Sequence, residues 1–316
     1  MPPVIAVDFG GTHIRAAYYP TGTWQPVSRT KVPTLAKEGP ASVISRIQSS
    51  IHSVSPADLT NLRIGIASPG PLDPRQGIVL STSNLPGWNH VPLKAEIQSH
   101  FNLPVCIQND ANAAAVGEWK RGAGKGVDDM IYLTISTGIG GGVICGGQLL
   151  LGAGGLAGEL GHLIQDPNGP FCPCGHRGHI EAMASGTAIG RIARERLKEV
   201  PDSILNQLQS EAGALSAREV GEACAVGDAL ACSIVEEAAH ALGLFAANLV
   251  HIFNPARIVI GGGVSQMGDR LLTPMKTAMR EQILHPAYLE QLEIAPAALG
   301  DDAGLIGTAV LARQLQ

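Results

Sequence analysis

Apolar residues in this chain come in short runs separated by glycine-rich breaks. Residues 4–9 form a run of strand length that ends in Asp8-Phe9-Gly10-Gly11-Thr12. Residues 14–19 predict a second strand after that tight turn, and 27–32 a third. Val43, Ile44, Ile47 and Ile51 recur at helical spacing and predict a helix over 40–54. Residues 62–67 read as a buried strand broken by Ser68-Pro69-Gly70-Pro71, and 93–101 as a short helix. A strand over 105–108 delivers Asn109-Asp110 to the head of an alanine-rich helix over 111–121. A second pattern begins at Met130, with a strand over 130–136, a glycine-rich turn over 137–142 and a strand over 143–145. Helices follow over 185–198, 217–226 and 229–253, then a strand over 258–260 that ends in Gly261-Gly262-Gly263, then helices over 269–283 and 305–315.

The order strand, glycine turn, strand thus occurs twice. Repetition of one supersecondary unit predicts two related halves facing a shared cleft, each a mixed sheet with covering helices. No low-complexity linker separates them, and pattern alone puts the boundary near Lys120.

Composition narrows the functional classes. The 316 residues are 45% hydrophobic and 16% charged, so the chain buries real cores and is not disordered. The net charge of −5 and the lack of a basic block argue against a nucleic-acid partner. No basic segment followed by a long apolar run opens the chain, so no signal peptide is expected. Glu236, Glu237 and His240 interrupt the apolar stretch 229–253, which therefore reads as a buried helix and not a membrane span. Cys106, Cys145, Cys224 and Cys232 lie in apolar contexts and read as small core residues, not disulfide partners, which points to a reducing, cytoplasmic compartment.

The glycine breaks carry the candidate chemistry. Backbone N–H groups of the turn at Gly10-Gly11 can wrap a phosphate, Thr12 adds a hydroxyl, and Asp8 offers a carboxylate to Mg²⁺ through water. The same residues also suit an ordinary β-hairpin. Ser136-Thr137-Gly138-Ile139-Gly140-Gly141-Gly142 is a second such turn, and Gly261-Gly262-Gly263 a third. None is a P-loop, because no Gly-Lys-Ser/Thr follows, and strand–turn–strand is not the dinucleotide fingerprint. Asp110 can accept a proton from a substrate hydroxyl, while Asn109 or Asp110 can equally serve as a helix N-cap. Cys172-Pro173-Cys174 with His162 and His179 makes up the ligand set of a closed tetrahedral zinc site, with His176 a surface-loop residue. Glu159, His162 and Glu181 are hydrogen-bonding groups suited to a polyol. A metal that pins this loop would present those side chains to a sugar.

Together these motifs resemble the ROK family of bacterial sugar kinases and sugar-responsive repressors, its glucokinase branch above all. The resemblance spans nearly the whole chain: Asp8-Phe9-Gly10-Gly11-Thr12, Ser68-Pro69-Gly70-Pro71, Asn84-Leu85-Pro86-Gly87-Trp88, Asn109-Asp110-Ala111-Asn112, the 136–142 turn, Glu159-Leu160-Gly161-His162 and Gly261-Gly262-Gly263. It implies an α/β chain of the actin-like ATPase (ribonuclease H-like) fold, with two domains around a central cleft. One covers 1–119 and is rejoined by a terminal helix at 302–316; the other covers 120–301. It implies ATP-dependent phosphorylation of the 6-hydroxyl of a hexose, most plainly glucose, with ATP, Mg²⁺ and a structural Zn²⁺.

By the same resemblance Asp110 is the base, and Asn109, Glu159, His162 and Glu181 grip the other hydroxyls. Gly70 and Asn84 lie in segments lining the sugar pocket. The turns at Gly10-Gly11 and at Thr137, Gly138 and Gly140 face the phosphates, and Gly261, Gly262 and Gly263 the adenosine. His162 serves both zinc and sugar. A homo-oligomer, dimer or tetramer, is implied too. The family pattern has a third cysteine where this chain has His179, which leaves His179 and His176 both open as the fourth ligand.

Two other readings differ in kind. A sugar-sensing repressor of the family carries a winged helix-turn-helix before the first glycine turn, and here that turn begins at Asp8. A kinase of N-acetylmannosamine, N-acetylglucosamine or fructose shares all the motifs. A polyphosphate donor is disfavoured by the zinc motif and the Gly261 turn.

Overall fold

A computed structural model describes residues 1–82, 85–209 and 214–315. The elements in chain order begin with β1 (Val4–Phe9), β2 (His13–Tyr19), β3 (Ser28–Pro33), α1 (Pro40–Val54) and β4 (Arg63–Ser68). Then come three short strands, β5 (Leu72–Asp73), β6 (Ile78–Ser81) and β7 (Asn89–Val91), then α2 (Leu93–Phe101), β8 (Val105–Asn109) and α3 (Asp110–Arg121). The next set is β9 (Met130–Ile135), β10 (Ile139–Cys145), β11 (Gln148–Leu149), α4 (Glu181–Ala184), α5 (Gly186–Leu197), α6 (Leu205–Leu208), α7 (Ala217–Ala225) and α8 (Ala229–Phe253). The chain closes with β12 (Arg257–Gly261), α9 (Asp269–Gln282), β13 (Glu293–Pro296) and α10 (Ala303–Arg313).

The chain divides into two compact units, one of residues 1–128, 142–158 and 297–316, the other of 129–141 and 159–296. The single boundary expected near Lys120 would fall inside α3.

In the first unit a five-stranded sheet runs β3-β2-β1-β4-β8, antiparallel through β1 and parallel from β1 to β8. Alternation along β1 sends its side chains to two cores. Ile5, Val7 and Phe9 join Val43, Ile47 and Ile51 of α1 on one face, and Val4 and Ala6 join Leu305, Ala309 and Ala312 of α10 on the other.

Glycines let α10 sit where it does. A Cβ on Gly65 in β4 would lie 2.4 Å from the Thr308 carbonyl oxygen, and one on Gly117 of α3 2.3 Å from that of Ala303. The short strands β5, β6 and β7 form a small separate sheet that the sequence pattern does not reveal, because two to four residues are too few for a period to register.

The second sheet runs β11-β10-β9-β12-β13. Its order matches the first position by position, and β9, β12 and β13 are again parallel. The doubled strand–turn–strand pattern is thus a doubled sheet order. The turn after β9 is shorter than the 137–142 expected, because Gly140, Gly141 and Gly142 are already in β10. Gly141 and Gly142 are glycine for packing: a Cβ on Gly141 would meet Leu160 at 2.6 Å, and one on Gly142 would meet Ala115 at 2.6 Å.

Helix α8 is long and apolar enough to cross a membrane by length and composition, but its buried residues, among them Ile234, Leu242, Phe245 and Leu249, are core residues of the second unit. The cysteines correct another expectation. Half-buried Cys106 packs against the Val4 and Ala6 core, but Cys145 is exposed, and half-buried Cys224 and Cys232 touch each other, because helix spacing alone does not report the α7–α8 corner that joins them.

Replacing Gly307 with Ala tests the close helix contact. A Cβ there would lie 1.7 Å from the Ala113 carbonyl oxygen, a backbone atom that cannot swing aside. Gly307→Ala is expected to lower unfolding stability by about 1–3 kcal/mol or more, read as a lower urea midpoint with an unchanged slope.

Candidate active site

In the first unit Asp8 lies at the end of β1, opposite Arg15 on β2. Arg15 Nη2 donates to Asp8 Oδ2 at 2.5 Å. Burial still raises the Asp8 carboxyl above its ordinary range, although Arg15 pulls the other way. The first turn of α10 crowds the same carboxylate: a Cβ on Gly304 would lie 2.7 Å from Oδ2. Buried Thr34 clamps the 10–12 turn, its hydroxyl donating to the Gly10 carbonyl at 2.6 Å and its N–H to the Thr12 carbonyl at 2.9 Å. A Cβ on Gly10 would meet nothing within 4 Å, so the space above the turn is open.

At the head of α3, Asn109 is the N-cap. Its side-chain oxygen accepts from the N–H groups of Ala111 and Asn112 at 2.9 and 3.1 Å. Asp110 is the first helical residue, is exposed, and accepts from Ala111 N–H at 2.8 Å through Oδ1. Capping therefore falls to Asn109. Gly70 lies in the bend between β4 and β5. Asn84 lies outside the described residues.

In the second unit the turn after β9 is tied on two sides. Gly186 N–H donates to the Ser136 carbonyl at 2.7 Å and Thr187 N–H to that of Thr137 at 3.3 Å, so the first N–H groups of α5 hold the turn. Ile139 N–H donates to Glu181 Oε2 at 2.9 Å. A Cβ on Gly138 would lie 2.4 Å from the same oxygen, so a larger residue there would push the Glu181 carboxylate off Ile139 N–H.

Gly262 has φ +88°, and a Cβ on it would lie 2.3 Å from the Ile135 carbonyl oxygen. That contact puts the Gly261-Gly262-Gly263 turn beside the 136–138 turn. Between them opens a cavity of about 680 Å³, lined by Ser136, Thr137, Gly186 and Gly263 and also by Arg194, Arg218, Met267 and Arg270. Its volume suits a cofactor-sized ligand; Glu222 also lines it and pairs with Arg218 at 3.1 Å, so the guanidinium groups of Arg194 and Arg270 give the lining its net positive charge, which suits an anionic one. The sequence reading missed these four side chains. Arg194, Arg218 and Arg270 stand on the amphipathic helices α5, α7 and α9, and Met267 ends the 3₁₀ turn that begins at Gly263; only the tertiary fold gathers them.

Glu159-Leu160-Gly161-His162 forms a short 3₁₀ turn. Gly161 packs against the start of β10, where a Cβ would lie 1.9 Å from the Ile139 carbonyl oxygen. The Glu159 carboxyl is raised above its ordinary range by burial first, with His162 opposing and Glu181 reinforcing that shift. Glu159 is exposed as a residue, so solvent screens much of this effect. Glu159, His162 and Glu181 thus come together. Glu181 also has two protein partners, Ile139 on one oxygen and the Cys172 thiol, 3.5 Å from the other.

Residues 163–180 form a backbone hairpin, pinned by the Gln165 N–H to Gly178 carbonyl bond at 2.7 Å and the Cys172 N–H to His176 carbonyl bond at 2.8 Å. Gly175 and Gly178 turn it with φ of +92° and +77°. The hairpin gathers His162, Cys172, Cys174 and His179, whose ligand atoms all lie within 4.8 Å of one another. His162 Nδ1 is 3.3 Å from His179 Nδ1 and 3.8 Å from Cys172 Sγ, and Cys174 Sγ is 3.3 Å from His179 Nδ1.

Zinc–nitrogen and zinc–sulfur bonds of about 2.0 and 2.3 Å give tetrahedral edges of about 3.3 Å between nitrogens and about 3.5 Å between nitrogen and sulfur. The observed separations fit that tetrahedron. Burial, reinforced by His162 and His176, lowers the His179 pKa and favours the neutral, ligating imidazole. His176 lies 3.7 Å from Cys174 Sγ through Nδ1 and stacks on His179, outside the group of four.

The ROK family model matches residues 4–315. The chain belongs to the ROK family. It is 39% identical to the glucokinase of Halalkalibacterium halodurans over 98% of this chain and 94% of that protein. It is 37% identical to the glucokinase of Thermotoga maritima over 98% and 97%. A Streptomyces griseus ROK glucokinase, solved with glucose and AMPPNP, superposes with a TM-score of 0.85 at 35% identity, over 99% of this chain and all of that one. Such neighbours carry the actin-like ATPase architecture, which is the fold of this ROK chain.

The Glu181–Ile139 bond is open to test. Glu181→Ala leaves the buried Ile139 N–H without its acceptor and is expected to cost about 1–3 kcal/mol, seen as a lower Tm, while Glu181→Gln keeps an acceptor and recovers most of the loss.

Proposed function

We propose that this chain transfers the γ-phosphoryl group of ATP to the 6-hydroxyl of a hexose, with glucose preferred. The observation that carries this reading is one shared turn. Ser136 and Thr137 wall the anion-suited cavity, and two residues further on Ile139 is held by Glu181, which groups with Glu159 and His162. A nucleotide-sized site and a polyol-suited set of side chains thus rest on the same backbone. The full-length likeness to two glucokinases and to a glucose-bound kinase supports glucose over other sugars.

In this reading Asp110 accepts the proton of the 6-hydroxyl as that oxygen attacks the γ-phosphorus and ADP leaves. Its exposed position, with the capping work done by Asn109, suits a base. Asn109, Glu159, His162 and Glu181 hold the remaining hydroxyls, with Gly70 and Asn84 in the segments around the sugar. The turn at Gly10, Gly11 and Thr12 and the turn at Thr137, Gly138 and Gly140 take the phosphates, and Gly261, Gly262 and Gly263 the adenosine. Mg²⁺ arriving with ATP would neutralise phosphate charge. Asp8, whose Oδ2 is paired with Arg15, would help hold it through water. Zn²⁺ would be held by His162, Cys172, Cys174 and His179, and with all four positions filled by protein its part is structural.

A coupled ADP-release assay across glucose, mannose, fructose and the N-acetylhexosamines tests the reaction and its substrate. Glucose should give the highest kcat/KM, and no ADP release with any hexose would end the reading. In the same assay Asp110→Asn should lose on the order of 10²-fold or more in kcat at a nearly unchanged sugar KM. A variant with near-normal turnover would show the base to be another group.

Metal analysis is expected to find one zinc per chain. Cys172→Ala and His179→Ala should lose it, with a raised sugar KM and lower stability, while His176→Ala should keep it. Zinc kept in His179→Ala but lost in His176→Ala would reverse the ligand assignment.

A further inference from the structure

Outside the residues used above, one pair of reactive groups lies in contact. Cys224, near the C-terminal end of α7, and Cys232, on the first turn of α8, have their sulfur atoms 2.9 Å apart, and both are half-buried and unbonded to other cysteines. The corner between the two helices brings them together. Gly227 turns it at φ +88°, Asp228 caps α8 by accepting from Ala231 N–H at 2.8 Å, and Asp228 N–H donates to the Ala223 carbonyl at 3.1 Å. Cys232 Sγ also reaches the Cys224 carbonyl at 3.4 Å, so both thiols are directed into the same space.

That space adjoins a cavity of about 680 Å³ lined by both cysteines, Glu236, His240, Asp269 and Arg270. Arg270 also lines the cavity assigned above to ATP, as do Gly221, Glu222 and Ala225 of α7.

We propose that Cys224 and Cys232 form a reversible disulfide by exchange with a low-molecular-weight disulfide, and that this bond fixes the α7 wall of the nucleotide cavity. The Cys232 thiolate attacks one sulfur of the small disulfide, whose S–S bond breaks and releases one thiol after protonation. Cys224 then gives up its proton and attacks the Cys232 sulfur of the mixed disulfide, releasing the second thiol. Two S–H bonds are lost and one S–S bond is gained, and the small disulfide is reduced to two thiols. Burial, and then the neighbouring Cys232, push the Cys224 thiol up to about 12, so Cys224 takes the second, intramolecular step, where proximity compensates for a small thiolate fraction.

The consequence for ATP rests on the nucleotide reading of the cavity, whereas the bond itself does not. Arg218 and Arg257 bound a tryptic peptide that holds both cysteines and no other. The native protein is incubated with glutathione disulfide, its free thiols are alkylated, and it is digested without reduction. The expected peptide is unalkylated and two hydrogens lighter, and restored by dithiothreitol. Doubly alkylated or glutathione-bearing peptide alone would overturn the pair.

Oxidation should also change the KM for ATP several-fold, reversibly, and Cys224→Ser and Cys232→Ser should each keep the basal KM and abolish the change. A change that persists in both variants, or a linked peptide with an unaltered KM, would overturn the coupling to the cavity. A reduced Gly221→Leu variant with normal KM for ATP would overturn the nucleotide reading and that coupling with it, while the mass of the linked peptide would still report the bond.

Discussion

A Cβ on Gly307 would lie 1.7 Å from the Ala113 carbonyl oxygen, and one on Gly65 2.4 Å from that of Thr308, so α10 meets both α3 and β4 backbone to backbone. Much of the first unit depends on this approach. It seals the Val4 and Ala6 face of the sheet with Leu305, Ala309 and Ala312. It also brings Gly304 against Asp8, whose carboxylate is then both desolvated and paired with Arg15. A chain segment some three hundred positions from β1 thereby sets the electrostatics of the residue that precedes the first glycine turn.

The second unit relies on the same device at different places. Gly161 rests on the Ile139 carbonyl, Gly186 lies against that of Ser136, and Gly262 against that of Ile135. Each contact draws a separate segment onto the end of β9 or the start of β10, so three motifs distant in sequence become neighbours of one turn. Side chains would hold these backbones apart. The glycines are therefore what permits a cavity wall and a polyol-suited cluster to share a few residues.

Glu181 joins two systems that the sequence presents as separate. One oxygen holds Ile139 N–H on the glycine turn, and the other lies 3.5 Å from Cys172 Sγ in the His-Cys cluster. A cation in that cluster would therefore stiffen a hairpin that bears on the turn through a single carboxylate. A zinc there would thus act on the turn mechanically, without any part in bond making.

Hydrophobic patterning located the long strands and helices, because burial of one helix face leaves a countable repeat and burial of both sheet faces leaves a short apolar run bounded by glycine breaks. The doubled strand–turn–strand order was legible for the same reason, and it recurs as two sheets of identical strand order. The local hairpin chemistry of Cys172, Cys174, Gly175 and Gly178 was legible too, since metal-ligand spacing and positive φ are properties of neighbours in sequence. Tertiary structure decided what depends on distant partners. It placed Arg194, Arg218 and Arg270 around one cavity. It set His179 within the group of four and His176 outside it, and it brought Cys224 to Cys232 across a helix corner. Sequence spacing fixes which face of an element a residue occupies, but only packing fixes what that face meets.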